Sequence, residues 1–166
     1  MSVPFNIDLK GKVAAVTGGG GVLCSCMAKS LAECGAKVAI LDLRLEAAGK
    51  VAEEINAAGF VAKGYACNVL EKASLEAANA AIEADFGAID ILVNGAGGNH
   101  PKGTTSNEFM TPEDLETIKE GFTSFYELDP SGVQFVFNLN FIGTLLPTRV
   151  FSKAMAKKGE GTIINI

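Results

Sequence analysis

The sequence predicts an α/β fold in which a parallel sheet carries helices on both faces. Three observations predict it. Short apolar runs alternate with amphipathic stretches of helical length from Lys12 to Ile166. The runs are short and predominantly apolar, as strands of a parallel sheet with helices on both faces are. The amphipathic stretches end on single glycines, which stop helices.

The elements follow in order. Lys12 to Thr17 (KVAAVT) is the first strand and runs into Gly18 to Gly21. Val22 to Cys34 is a helix, with Val22, Met27, Leu31 and Cys34 near one face and Gly35 as its stop. Lys37 to Leu41 is the second strand, and Leu45 to Ala58 an Ala- and Glu-rich helix stopped by Gly59. Val61 to Cys67 is the third strand, Glu71 to Phe86 a helix stopped by Gly87, and Ile89 to Val93 the fourth strand. Residues 98 to 128 break the rhythm as a polar loop inside the domain, with one short helix starting at Thr111 and Pro112. Asp129 and Pro130 start a long helix reaching about Lys158, with a kink expected near Pro147. Thr162 to Ile166 is the fifth strand.

Right-handed crossovers wind these units into a doubly wound parallel sheet of Rossmann-like order 3-2-1-4-5. The fifth strand then lies at an edge, and a run such as IINI makes a poor exposed edge. It wants a sixth strand beside it. Residues 1–166 are therefore expected to form one nucleotide-binding domain that is truncated after its fifth strand.

Composition narrows the function. The 166 residues, 48% of them hydrophobic, suffice for one domain with a real core. The net charge is −5 and no basic stripe is present, which argues against nucleic acid and against an anionic membrane surface. Lys153, Lys157 and Lys158 read as a solvated helix end. No run approaches the about 18–20 apolar residues of a membrane span, and MSVPFNIDLKGK has no apolar secretory core. Cys24, Cys26, Cys34 and Cys67 lack paired spacing, and His100 is the single histidine. No metal site is expected, and the cysteines read as reduced fillers of a cytoplasmic protein.

Chemistry enters at the first strand's end. Gly18, Gly19 and Gly21 lead into a helix opened by Val22 and Leu23. A helix N-terminus stabilises a diphosphate through unpaired amides and its dipole, and glycines let the backbone come close. Gly19 and Gly21 fill two positions of G-x-G-x-x-G, and Cys24 takes the third. That third glycine normally allows close helix–strand packing, so the helix is expected to sit slightly farther from the sheet. Asp42, followed by Leu43, ends the second strand about 20 residues on, where a carboxylate accepts bonds from the adenosine ribose and repels a 2′-phosphate. That points to NAD. Arg44 argues the other way, since a guanidinium holds a phosphate, but Asp42 weighs more.

Three further segments resemble the short-chain dehydrogenase/reductase family over essentially the whole chain. Asn94-Gly95-Ala96-Gly97 resembles its N-N-A-G motif with Gly95 for the second Asn, Asn68-Val69 its Asp-Val pair, and Asn140-Phe141-Ile142-Gly143 its N-x-x-G helix motif. The resemblance implies that Asn68 bonds the adenine amino group beside the Val69 backbone. It implies that Asn94 braces the central strands while Gly95, Ala96 and Gly97 approach the ribose and nicotinamide. Asn140 would be the catalytic-tetrad Asn, interrupting its helix and holding a water in the proton relay. The runs VTGGGGVLC, LVNGAGGNHP and DPSGVQFVFNLNFIGTLLP resemble the subgroup of D-mannonate oxidoreductases, or fructuronate reductases, whose relatives act on other sugar acids and polyols. Asn99 and His100, with Lys102, would then meet a hydroxylated, anionic small-molecule substrate.

The family's Tyr and the Lys four residues beyond it are not in this sequence. Tyr65 is followed at that distance by Val69, and Tyr126 by Pro130. The family Ser would follow directly after Ile166. These 166 residues alone are therefore expected to lack dehydrogenase activity. The readings left open are a fragment of an NAD-dependent sugar-acid oxidoreductase, a non-catalytic dinucleotide-binding module, and a longer polypeptide of which these residues are one part; a homo-oligomer is expected at full length.

Overall fold

The computed structural model describes residues 7–116 and 121–166. The expectations that touch residues 1–6 of the amino-terminal run and 117–120 of the polar loop lie outside the described residues. Five strands form one sheet: β1 (Val13–Thr17), β2 (Lys37–Asp42), β3 (Ala62–Ala66), β4 (Ile91–Asn94) and β5 (Thr162–Asn165). Their order is β3-β2-β1-β4-β5 and every pairing is parallel, so the Rossmann-like doubly wound sheet predicted from sequence is what the chain forms. Between the strands run α1 (Val22–Glu33), α2 (Leu45–Ala57), α3 (Lys72–Asp85), the short α4 (Glu113–Glu116), α5 (Pro130–Phe137) and α6 (Gly143–Lys158).

The two-residue period of each strand divides its apolar side chains between two cores. Ala14, Val16, Val38, Ile40 and Val93 face α1 and α2, where they meet Ala28, Ala32, Ala48, Val51 and Ile55. Val13, Ala15, Ala39, Leu41 and Leu92 face α3 and α6, where they meet Leu75, Ile82, Val150, Phe151 and Met155. β1, β2 and β4 are covered on both faces, so the middle of the sheet shows no polar side in sequence.

One expectation needs correction. The buried face of α1 is Cys24, Ala28 and Ala32, and Val22 is 84% exposed. Met27 and Leu31 pack only at the margin of the core, and Cys34 lies just past the helix. A helix that approaches a sheet closely needs small residues along the contact stripe, so size outranks hydrophobicity there. In the long helix, the interruption expected at Asn140 is present. It is a π turn at Asn138–Ile142, between α5 and α6, while Pro147 is buried inside a continuous α6. Proline's missing N–H and its clash four residues back fall on Gly143, the first residue of α6.

The sheet's amino ends are tied by charge. Lys158 Nζ lies 2.6 Å from Asp90 Oδ1, Lys12 Nζ 2.6 Å from Glu160 and 3.8 Å from Asp90, and the Val13 amide donates to Asp90 Oδ2 at 3.0 Å. At the far edge β5 pairs with β4, and Ile163 and Ile164 are exposed. No described helix is long and apolar enough to cross a membrane.

Candidate functional site

The sheet's strand order reverses between β1 and β4, and a crevice opens at their carboxyl ends. It has a volume of about 480 Å³. A larger depression of about 680 Å³ lies elsewhere, among Lys10, Glu33, Lys37 and Phe60. It is built from turns at the opposite strand ends, and the polar groups that could orient a ligand converge at the crevice.

One wall is the turn from β1 into α1. Gly18 has φ +65°, and a Cβ there would stand 2.9 Å from the Ala96 backbone, so the glycine lets the turn lie against the loop after β4. Gly19 sits behind the wall, its amide bonded to Leu41 at 3.0 Å. Gly21 caps α1, and no side chain caps the helix's first amides. Those amides, at Val22 and Leu23, border the crevice and have no partner within the helix. An anion placed there would satisfy them.

Asp42 closes one end. Its Oδ2 accepts the Gly20 amide at 3.1 Å and its Oδ1 accepts the Arg44 amide at 3.1 Å. The carboxylate is thereby held at the rim, with lone pairs left for a hydroxyl-bearing ligand. A Cβ at Gly20 would stand 2.8 Å from that carboxylate. Leu43 and Arg44 continue the rim.

Opposite, Cys67, Asn68 and Val69 leave β3. The Asn68 amide oxygen accepts Leu70 N–H at 3.0 Å, its Nδ2 donates to Glu71 at 2.8 Å, and its backbone amide donates to Ser74 Oγ at 2.9 Å. The second lone pair of that oxygen remains for a ligand. Burial pushes the Cys67 thiol up to about 11. Burial, and then the charge of Asp42, push Cys24 up as well, so neither thiol is an activated nucleophile.

The floor is Gly95, Ala96 and Gly97 after β4. Thr17, fully buried, holds it: its Oγ1 accepts the amides of Gly95 at 3.1 Å and Ala96 at 3.2 Å. Cys24 lies over Gly95 and donates to its carbonyl at 3.6 Å, so the thiol finds its room where Gly95 has no side chain. Asn94 does not line the crevice. It is 2% exposed and braces three elements, its Nδ2 donating to Thr148 Oγ1 and to Asn165 Oδ1, both at 2.9 Å.

Asn140 lies in the π turn. Its Oδ1 accepts Gly98 N–H at 3.0 Å, and its Nδ2 donates to Gly98 O at 2.9 Å and to Val136 O at 2.7 Å. Both polar ends of the amide are thus committed to backbone. The Asn140 carbonyl accepts Thr144 Oγ1–H at 2.9 Å. Gly97 leaves room for this side chain, since a Cβ there would stand 2.5 Å from Asn140 Oδ1.

Asn99 and His100 lie beyond the crevice wall. Asn99 is exposed. His100 Nδ1 accepts the Lys102 amide at 3.2 Å, which leaves its proton on Nε2, and its ring packs 5.0 Å from that of Phe135. Lys102 pairs with Asp129 at 3.4 Å. The following turn is pinned backbone to backbone, because a Cβ at Gly103 would stand 2.9 Å from Gly132, and one at Gly132 would stand 2.6 Å from Gly103. Above it the Ser106 amide donates to Thr123 O at 2.9 Å, and the Thr123 amide to Ser106 Oγ at 2.9 Å.

The crevice thus collects Gly18, Gly21, Val22, Leu23, Asp42, Leu43, Asn68, Val69, Gly95, Ala96 and Gly97 from the sequence-predicted residues. Gly19 and Asn94 stand behind it, Asn140 beside it, and Asn99 and His100 farther out. Sequence reasoning missed Thr17, Cys67 and Leu139. A threonine closing an apolar strand before a glycine run was the available signal, since a buried hydroxyl needs a partner. Nothing local marked Leu139.

Comparison with known proteins agrees with this geometry. A family model described as short chain dehydrogenase matches residues 12–166. An uncharacterized oxidoreductase of Haemophilus influenzae is 52% identical over 166 residues, covering 100% of this chain and 57% of its own. A D-threitol dehydrogenase of Mycolicibacterium smegmatis is 32% identical, covering 100% of this chain and 56% of its own. Among solved structures, one from Haemophilus influenzae with bound NAD, provisionally assigned as a D-mannonate oxidoreductase, superposes with TM-score 0.88 at 52% identity, covering 96% of this chain and 56% of that one. A gluconate 5-dehydrogenase of Burkholderia cenocepacia, in complex with NADP and tartrate, superposes with TM-score 0.75 at 29% identity, covering 96% and 55%. The chain spans little more than half the length of the curated relatives it matches.

Proposed function

The chain belongs to the short-chain dehydrogenase family, and on that premise we propose that its crevice binds NAD(H) in preference to NADP(H). The observation that carries this reading is the Asp42 carboxylate, held at the rim by two backbone amides beside an uncapped helix N-terminus. Gly18, Gly19, Gly21, Val22 and Leu23 would hold the diphosphate, and Asp42 with Leu43 the adenosine ribose. Asn68 and Val69 would flank the adenine, and Gly95 to Gly97, braced by Asn94, the nicotinamide half. The bound cofactor would supply the hydride. A fixed carboxylate at the rim repels a 2′-phosphate, and Arg44 contributes its backbone amide to holding it there. NAD in the Haemophilus neighbour supports the preference, while NADP in the Burkholderia neighbour sets the alternative. Titration of the chain by nicotinamide fluorescence should give NADH an affinity at least about tenfold above that of NADPH, the scale of one charge-assisted contact. Equal or reversed affinities would overturn the assignment.

For the whole protein we infer hydride exchange with a sugar acid or polyol, D-mannonate and D-fructuronate first. The Haemophilus neighbour supports the sugar acid and the D-threitol relative the polyol. Asn99, His100 and Lys102 offer a hydroxylated anion donors from one loop. Asn140 fixes that loop's root at Gly98, and by the family pattern it would hold a relay water. The tyrosines of this chain are occupied elsewhere: Tyr65 donates to Asp85 at 2.8 Å, and Tyr126 is exposed beyond the loop. Residues 1–166 therefore read as the NAD-binding part of an incomplete catalytic domain. Mixed with NADH and D-fructuronate they should give no absorbance change above a protein-free control, and turnover would refute this. The four cysteines are free, which fits a cytoplasmic setting. Exposed Phe137, Phe141 and Leu145 on the α5–α6 rod support a homo-oligomer at full length.

A further inference from the structure

We propose that Cys24 and Gly95 are a matched positioning pair that fixes the gap between α1 and the crevice floor, so that one residue cannot change unless the other does. The inference rests on reading the crevice as a dinucleotide site.

Cys24 is the third residue of α1, and Gly95 is the first residue after β4. A Cβ built on Gly95 would stand 2.2 Å from Cys24 Sγ but 3.7 Å from Cys24 Cβ. The one outright collision is with the sulfur, with a tight 3.2 Å approach to Thr17 O beside it. Moving the sulfur away requires a χ1 turn of Cys24 inside a packed seam. Cys24 is 5% exposed and its thiol donates to the Gly95 carbonyl at 3.6 Å. The Gly95 amide is tied to Thr17 at 3.1 Å, and the Gly95 carbonyl lies 2.9 Å from where a Gly18 Cβ would stand. The seam has no room for both the Cys24 sulfur and a β-carbon on residue 95. This chain fills it from the helix with the sulfur atom, and a β-carbon on residue 95 would fill it from the strand end.

That atom sets how near the unpaired amides of α1 stand to the Gly95 to Gly97 backbone, the two surfaces a diphosphate and its attached riboses would touch. Packed interiors do not absorb an added or missing atom at such a seam without shifting an element. Cys24 and Gly95 are thus positioning residues, acting through the backbone they space.

Four proteins test this: the parent chain, Cys24→Ala, Gly95→Ala, and the double variant, which moves the one atom from helix to strand end. NADH affinity is read by fluorescence at a temperature where each is fully folded, alongside thermal unfolding. Gly95→Ala should weaken NADH binding about tenfold or more, Cys24→Ala by about two- to fivefold, and the double variant should return to within about threefold of the parent, the non-additivity of directly coupled sites. Full recovery is not expected, because the new Cβ still lies 3.2 Å from Thr17 O. A double variant as weak as Gly95→Ala overturns the pairing. Recovery of thermal stability without recovery of NADH affinity overturns the positioning role and leaves only packing. If Gly95→Ala does not fold, the double variant decides alone, near-parent affinity supporting the pair and lost affinity refuting it. A parent that binds no NADH, with stability still coupled, defeats the dinucleotide reading and with it the positioning role.

Discussion

Asp42 shows how much of the site rests on single side chains. Its two oxygens accept amides from Gly20 and Arg44, so the negative charge is in place before any ligand arrives. Preorganised charge costs no rearrangement when the ligand binds. Asp42→Asn keeps the shape, removes the charge and turns one acceptor into a donor facing an N–H. It should weaken NADH binding by roughly 1.5–3 kcal/mol, tenfold or more, and leave NADPH affinity nearly unchanged. Equal losses for both ligands would mean that the loop, and not the charge, was disturbed. The position was legible in sequence because a strand end, a glycine turn and an acid recur at a fixed spacing. The grip of the Gly20 amide on it was not, since backbone hydrogen bonds leave no residue type behind.

Among the elements, local signals were readable and long-range ones were not. Apolar runs gave all five strands, and Gly35, Gly59 and Gly87 marked where helices stop. The face of α1 was misread because Cys24, Ala28 and Ala32 look bland beside Met27 and Leu31. No residue type announces the wide ladder of the π turn, and only the family motif pointed to Asn140 there. The charge cluster joining β1, β4 and α6 was invisible because Lys12 and Glu160 are 148 residues apart. Within that cluster burial pushes Asp90 up, but the Lys158 ammonium, the Val13 amide and Lys12 more than offset it and hold the carboxyl below its ordinary value. A carboxyl depressed in the folded state stabilises the fold above its unfolded pKa of about 3.9 and loses that contribution as pH falls through the folded value. Asp90→Asn should therefore be less stable than the parent at pH 7, with the difference shrinking below about pH 4. Urea melts across that range decide it, and a difference unchanged down to pH 3 would count against the assignment.

At the scale of the molecule, the fold divides its labour between two ends. Charge pairs close the amino ends of the strands, and glycines and polar groups open the carboxyl ends. Among the described residues, exposed apolar surface includes β5, with Ile163 and Ile164, and the α5–α6 rod, with Phe137 and Phe141. Unpaired strand edges and exposed aromatic faces associate in water. Sedimentation of the 166-residue chain should show its average mass rising with concentration, and Ile163→Lys with Phe137→Glu should suppress the rise. A mass that stays monomeric throughout would show these surfaces to be inert. The glycine seam between residues 103 and 132 carries a different consequence. With the Ser106–Thr123 pair closing just above it, the long loop has a fixed root and an excursion whose two ends already meet. A descendant, natural or designed, could lengthen, shorten or rewrite the stretch from Asn107 to Phe122 to greet a new substrate, and His100 would keep its post; a methyl group on either glycine would forfeit that freedom.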